Sequence, residues 1–209
     1  METFSPTACV RFGWETFKKR PWFLIGAFLL VFIITGILNT IISRVMGNEG
    51  VGGLISFLTN MIVQIFGSVG MVSLALSAHD SIENAKLADL WRPKFVLNYL
   101  VMSVLFFIAA AIGFILLVIP GIIVVLTLYF ACYLIVDRSL GPIEAMKESA
   151  RITKGHRLDL LVLLVLTLLI NILGIIALLV GILVTIPMTF LAIAHSYRTL
   201  ERMAGTAAP

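Results

Sequence analysis

The chain has 209 residues, of which 60% are hydrophobic and only 12% charged, and its mean hydropathy is +1.10. Soluble domains carry about a quarter charged residues, and a water-surrounded core of this size could not hide so much apolar surface. This excludes a soluble globular protein and makes lipid the main solvent. The net charge of +4 then reads as basic loops facing an anionic leaflet, and no nucleic-acid partner is expected.

The segment Ser5–Lys19 is expected to form a polar, amphipathic helix ending in Lys18-Lys19-Arg20. The first apolar run follows as a span over Pro21–Ile42. It is longer than a signal-peptide core and no small-residue cleavage site follows, so it reads as a retained crossing. A glycine-rich loop, Arg44–Gly53, leads to a second span over Leu54–Ala78, and a second amphipathic helix is expected over Ser81–Trp91.

Two long apolar runs follow, Phe95–Val136 and Leu158–Ala194. A helix rises about 1.5 Å per residue and the hydrocarbon core is about 30 Å thick. Each run is therefore about twice one crossing and must fold back. The first divides into Phe95–Ile119 and Gly121–Val136 about an Ile119-Pro120-Gly121 turn. The second divides into Leu158–Leu179 and Gly181–Ser196 about Val180-Gly181, with Pro187 a candidate kink. Between the runs, a third amphipathic helix is expected over Pro142–Lys154, opened by Pro142 and closed by Gly155. Ile143, Met146, Ala150 and Thr153 would share its inward face, with Glu144–Lys147 and Glu148–Arg151 pairs on the wetter side. A short disordered tail is expected at 203–209.

Two short motifs recur. Arg20-Pro21-Trp22-Phe23 matches Arg92-Pro93-Lys94-Phe95, and Ile82-Glu83-Asn84-Ala85-Lys86 matches Ile143-Glu144-Ala145-Met146-Lys147. The expected fold is an all-α, polytopic transmembrane helical bundle of six spans, one domain over 1–209. It is divided into three tandem units, approximately 5–78, 79–138 and 139–200. Each unit is an interfacial amphipathic helix plus a transmembrane hairpin. Of the 15 Lys and Arg residues, all but Arg44 fall in segments on one side of this topology. That asymmetry places both termini in the cytoplasm. Trp14, Trp22 and Trp91 fall at the same inner boundary, where indoles prefer to sit.

The third unit carries a resemblance. Ile119-Pro120-Gly121, the stretch Glu144-Ala145-Met146-Lys147-Glu148-Ser149-Ala150-Arg151-Ile152-Thr153-Lys154-Gly155, then Gly181 and Pro187, resemble the YciC-like inner-membrane proteins. They are also similar to the membrane domain fused to some glycerophosphodiester phosphodiesterases. The resemblance implies a six-span protein of the bacterial inner membrane. It carries over no phosphodiesterase activity, because no such catalytic domain is attached in this sequence.

Candidate chemistry is sparse. His79, Asp80, His195 and His156 sit at span ends without metal-ligand spacing, and read as solvated interfacial groups. Gly67-Ser68-Val69-Gly70 lacks nucleophile-elbow spacing and reads as small residues for close helix approach. No catalytic residue, cofactor or metal is assigned. No Asp, Glu, Lys or Arg lies deep in a span, which weighs against an ion-coupled pump. The expected function is that of a non-enzymatic membrane protein whose cytoplasmic helices engage anionic lipid head groups or a membrane-protein partner. Lys18, Lys19, Arg20, Arg92, Lys94, Arg151, Lys154 and Arg157 would do so. The alternative is a transporter or channel for a small or lipidic solute, its path lined by Asn60, Gln64 and Asn171.

Overall fold

The computed structural model describes residues 4–47, 49–177 and 180–205. It is 87% helix, with no strand among the described residues. In chain order the helices are α1 (Pro6–Lys19), α2 (Pro21–Met46), α3 (Gly50–Asp80), α4 (Val96–Leu116), α5 (Val118–Leu128), α6 (Ala131–Arg138), α7 (Pro142–Ile152), α8 (Arg157–Ile176) and α9 (Val180–Met203). Among the described residues, five stretches are long and apolar enough to cross a membrane: Pro21–Met46, Gly50–Asp80, Leu87–Leu116, Val118–Arg138 and Arg157–Ile176. Their outer faces carry large exposed apolar side chains, among them Phe32, Phe107, Ile115, Leu158 and Ile176. A monomer in water does not expose so continuous an apolar surface.

The helices run back and forth between two ends. At one end, Arg20 Nη1 donates to the carbonyl oxygens of Ile82 (2.9 Å) and Glu83 (3.0 Å). This ties the α1–α2 junction to the segment after α3. At the same end, ion pairs described below join the last turns of α3, α6 and α9 to α7. Asn171 Nδ2 lies 3.4 Å from Thr189 Oγ1, and Gly174 faces Gly181 so closely that a Cβ on either would meet backbone of the other. Helices α8 and α9 are therefore an antiparallel hairpin, and α9 returns the chain to the network end. Its last turns form the centre of that end, with Ala192, Ala194, Ser196, Tyr197 and Leu200 fully buried.

Helix α1 does not lie alone on a surface. It packs along α9, and Gly13 makes this possible: a Cβ there would come within 2.5 Å of the Met188 carbonyl oxygen and 3.0 Å of the Ala192 nitrogen. Both are backbone atoms that cannot turn aside. Gly13→Leu should therefore pry α1 off α9 and cost about 1–3 kcal/mol, as overpacking does. Thermal unfolding together with protease sensitivity confined to 5–20 would register it.

Several boundaries differ from expectation. The Arg44–Gly53 loop is shorter than expected, because α2 continues to Met46 and α3 begins at Gly50. Gly47 and Gly50 adopt φ of +74° and +54°, which only glycine enters freely. The fold-back expected at Ile119-Pro120-Gly121 occurs at Leu117, whose extended backbone (φ −173°, ψ 160°) ends α4. Pro120 then sits in the first turn of α5, where its missing N–H costs nothing.

The helix expected over Ser81–Trp91 does not form. A turn occupies 82–84, followed by short 3₁₀ segments at Leu87–Leu90 and Pro93–Phe95. The matched pentads thus differ in structure, turn in one case and α7 in the other. The matched tetrads agree: Arg20 (φ −142°, ψ 61°) and Arg92 (φ −130°, ψ 62°) make the same break ahead of a proline that starts the next helical turn. Helix α9 continues through Pro187. Residues 178–179 of the expected third turn and 206–209 of the expected tail lie outside the described residues.

Candidate functional site

Two features of the folded chain carry chemistry: an ion network at one end and a polar cavity among the helices. The network centres on Arg198, on the last turns of α9. Its guanidinium reaches Asp80 of α3 (Nη2–Oδ2 2.7 Å), Asp137 of α6 (Nη1–Oδ2 2.7 Å, Nη2–Oδ1 2.9 Å) and Glu201 (Nη1–Oε2 3.2 Å). Arg138 Nη2 lies 2.7 Å from Glu201 Oε1, and Arg138 Nη1 lies 3.5 Å from Glu148 of α7. Glu148 also holds Arg151 through two bonds of 2.9 Å. The Tyr197 hydroxyl donates to Asp137 (2.9 Å) and Glu201 (3.2 Å).

Glu201 is 3% exposed, a position an unpaired carboxylate could not hold. Burial alone would lower the Arg198 pKa, but the Asp80 and Asp137 carboxylates that it hydrogen-bonds raise it, so the guanidinium stays charged. Burial, then Asp137 and Glu201, push the Tyr197 phenol up, so it stays protonated and donates. The arrangement is a clamp. One arginine fixes three helix ends at the point where they meet.

Beside it, His79 Nδ1 pairs with Asp80 Oδ1 at 3.0 Å, and His79 Nε2 lies 3.1 Å from His195 Nδ1. Phe12 of α1 stacks on His195, with ring centroids 4.1 Å apart. These histidines are therefore not separate solvated groups, because the α3 and α9 ends bring them together under an aromatic ring. Their facing nitrogens are occupied by each other. Among the described residues, no group of three or more His, Cys, Asp or Glu is placed to hold a metal ion.

A second site of backbone chemistry lies where the fourth crossing breaks. Helix α5 ends at Leu128 and α6 begins at Ala131. Ser149 of α7, fully buried, bridges the gap: its Oγ donates to the Thr127 carbonyl (2.8 Å) and accepts from the Phe130 N–H (3.2 Å). The inward face of α7 is accordingly Ala145, Ser149 and Ile152, followed by Thr153 at its C-cap. Ile143, expected inward, is 63% exposed.

The cavity, about 610 Å³, lies between α3, α4, α5–α6, α8 and α9. Asn171 is on its wall with Ser68, Ser103 and Thr189, and exposed Phe107 brings it to the outer surface beside α4. The expected path through Asn60, Gln64 and Asn171 is not assembled. Gln64 lines a separate cavity of about 220 Å³ with Asn39, which meets the larger one at Ser68 and Met71. Asn60 lines neither. Its Oδ1 and that of Asn171 are buried with no hydrogen-bond partner.

The sequence-selected cations divide into two sets. Lys18, Lys19, Lys94 and Lys154 are exposed, with no ion pair to a described carboxylate. Lys18 and Lys94 lie over the rings of Trp14 and Phe95 at 5.7 and 4.6 Å. The arginines have partners: Arg20 bonds carbonyl oxygens across the fold, while Arg92 with Asp89 (3.4 Å) and Arg151 with Glu148 form local i,i+3 pairs that leave both side chains partly or largely exposed. Arg157 is half-buried, with its Nε enclosed.

The model of a family described as a domain of unknown function (DUF7847) matches residues 53–208. The chain belongs to this family. No curated protein and no solved structure matches it. The DUF7847 match takes in every member of the ion network and every residue lining the larger cavity. It leaves out α1 and α2, and with them Phe12, Arg20 and Gly13.

Proposed function

We propose that this DUF7847 protein is a non-enzymatic, six-crossing protein of the bacterial inner membrane that engages anionic head groups at its cytoplasmic end. The sixth crossing is α9, and the tandem units end at the network. The shared Arg-Pro breaks at Arg20 and Arg92 support the repeat, and the resemblance of 144–155 to YciC-like proteins supports the compartment. One observation carries the lipid reading. The four selected lysines, Lys18, Lys19, Lys94 and Lys154, are exposed without carboxylate partners, as are Lys86 and Lys147, and they belong to segments that converge on one end, which also carries the exposed Trp22 and Trp91. Each basic residue near an anionic surface contributes about 1 kcal/mol. Arg20, bonded to the carbonyl oxygens of Ile82, Glu83 and Ala85, serves the fold instead.

Native mass spectrometry of the purified protein should show retained phosphatidylglycerol or cardiolipin. Changing all four lysines to glutamine should strip most of it while Arg92→Gln changes little. Unchanged retention in the four-lysine variant would refute the reading. A second reading, passage or storage of a solute within the bundle, is favoured by the cavity that Asn171 lines.

A further inference from the structure

We infer that the larger cavity binds an uncharged, hydroxyl-bearing single-chain amphiphile, a proposal that rests on the second reading above. Its volume of about 610 Å³ falls within the roughly 300–1,000 Å³ of small-molecule sites. Among the described residues, no Asp, Glu, Lys, Arg or His lines it. An ionised group would enter with no counter-charge, which low-dielectric surroundings penalise heavily.

The wall also has a polarity of its own. Each aliphatic hydroxyl spends its hydrogen on its own helix: Ser68 on the Gln64 carbonyl (2.9 Å), Ser103 on Tyr99 (2.8 Å), Thr167 on Leu164 (2.9 Å) and Thr189 on Ile186 (2.9 Å). The Asn171 amide hydrogens go to the Thr167 carbonyl (2.9 Å) and Thr189 Oγ1 (3.4 Å). What the four hydroxyls retain is lone pairs. They accept hydrogen bonds and so select an occupant that brings O–H groups. The hydroxyls of Tyr129 and Tyr133, also on the wall, have no side-chain hydrogen bond with any described residue and offer donors to the occupant's oxygens. Phe106, Phe107 and Phe190 line the same cavity and supply the bed for an alkyl chain, which enters beside Phe107.

The test uses the full chain in lipid nanodiscs and two photoactivatable probes. One is a monoacylglycerol with a diazirine in its acyl chain; the other is the same molecule phosphorylated on one of its two free hydroxyls. Cross-linked peptides are mapped by mass spectrometry. The monoacylglycerol should label the wall segments 99–107 and 189–193 at least about tenfold more than the phosphorylated probe. Ser103→Phe, which fills the cavity, should reduce that labelling about fivefold or more while leaving outer-surface labelling on 32–37 unchanged. If Ser103→Phe fails to fold, Thr167→Leu, which removes an acceptor, should lower it in the same direction. Equal wall labelling by both probes would overturn the uncharged class while leaving a solute cavity standing. Labelling confined to the outer surface for both probes would overturn both.

Discussion

Arg198→Gln is expected to destabilise the protein by about 3 kcal/mol. Breaking a buried pair by removing one partner costs roughly 3–5 kcal/mol, because the other charges stay behind. Here three carboxylates lose their shared cation; Glu201, 3% exposed, keeps Arg138 but cannot turn to water. The figure sits at the low end because the Asp80 side chain is 52% exposed and solvent already screens it. Asp80→Asn should for that reason cost much less, and a double-mutant cycle between Arg198 and Asp137 should show coupling where one between Arg92 and Asp89 shows little. Reversible unfolding in mixed micelles reads these values. A loss under about 0.5 kcal/mol for Arg198→Gln, the range of ordinary surface changes, would mean that the clamp contributes nothing to the fold.

The second large effect is expected at Ser149. Ser149→Ala leaves the Thr127 carbonyl and the Phe130 N–H without their main partner in a buried place, at about 1–3 kcal/mol for each group. Thr153 Oγ1, 3.4 Å from the Thr127 carbonyl, keeps a weak substitute, so a total of about 2–3 kcal/mol is expected. Hydrogen exchange should accelerate at 128–132 and along α7, since the two elements lose the same bond. Thr40→Ala, an exposed hydroxyl bonded within its own helix, should change stability by less than about 0.5 kcal/mol. Equal effects at the two positions would show that the break in the crossing is held by something other than α7.

The membrane class was legible because hydropathy is a property of the chain itself: runs without charge must go where water is absent. The positions of the helices followed from the same signal, and their ends did not. Pro120 marks a turn by composition, yet a proline is equally at home in a first helical turn, and the chain folds back three residues earlier at Leu117. The pentads at 82–86 and 143–147 look alike, but only the second follows a glycine and a proline that can start a helix. At the first, the carbonyls of Ile82, Glu83 and Ala85 turn instead to Arg20.

On α7 the apolar stripe pointed to Ile143. The inward face is set by Ser149, a polar residue buried because a broken helix needs its hydroxyl. That need exists only in three dimensions. Long-range pairing was out of reach for the same reason. Arg198 meets Asp80 and Asp137 across separations of 118 and 61 residues; in isolation Arg198 looked like an orientation charge and Asp80 like a solvated group at a span end. The charged pairs Asp137-Arg138 and Arg198 with Glu201, both at the ends of apolar runs, were the available signal. Of the cavity wall only Asn171 was legible as a path residue, since the hydroxyls beside it come from helices whose neighbours are not written in their own sequence.

The decisive measurement is the sidedness of three positions in cells. Single cysteines replace Glu83, Lys147 and Glu49 in a Cys9→Ala, Cys132→Ala background, and a membrane-impermeant maleimide is applied to intact cells and to inverted vesicles. A membrane bundle with its cationic segments gathered at one end predicts that the sites at 83 and 147 react only in inverted vesicles and the site at 49 only in intact cells. Reaction of 83 and 147 from opposite sides, or release of the protein from membranes by alkaline carbonate, would contradict it.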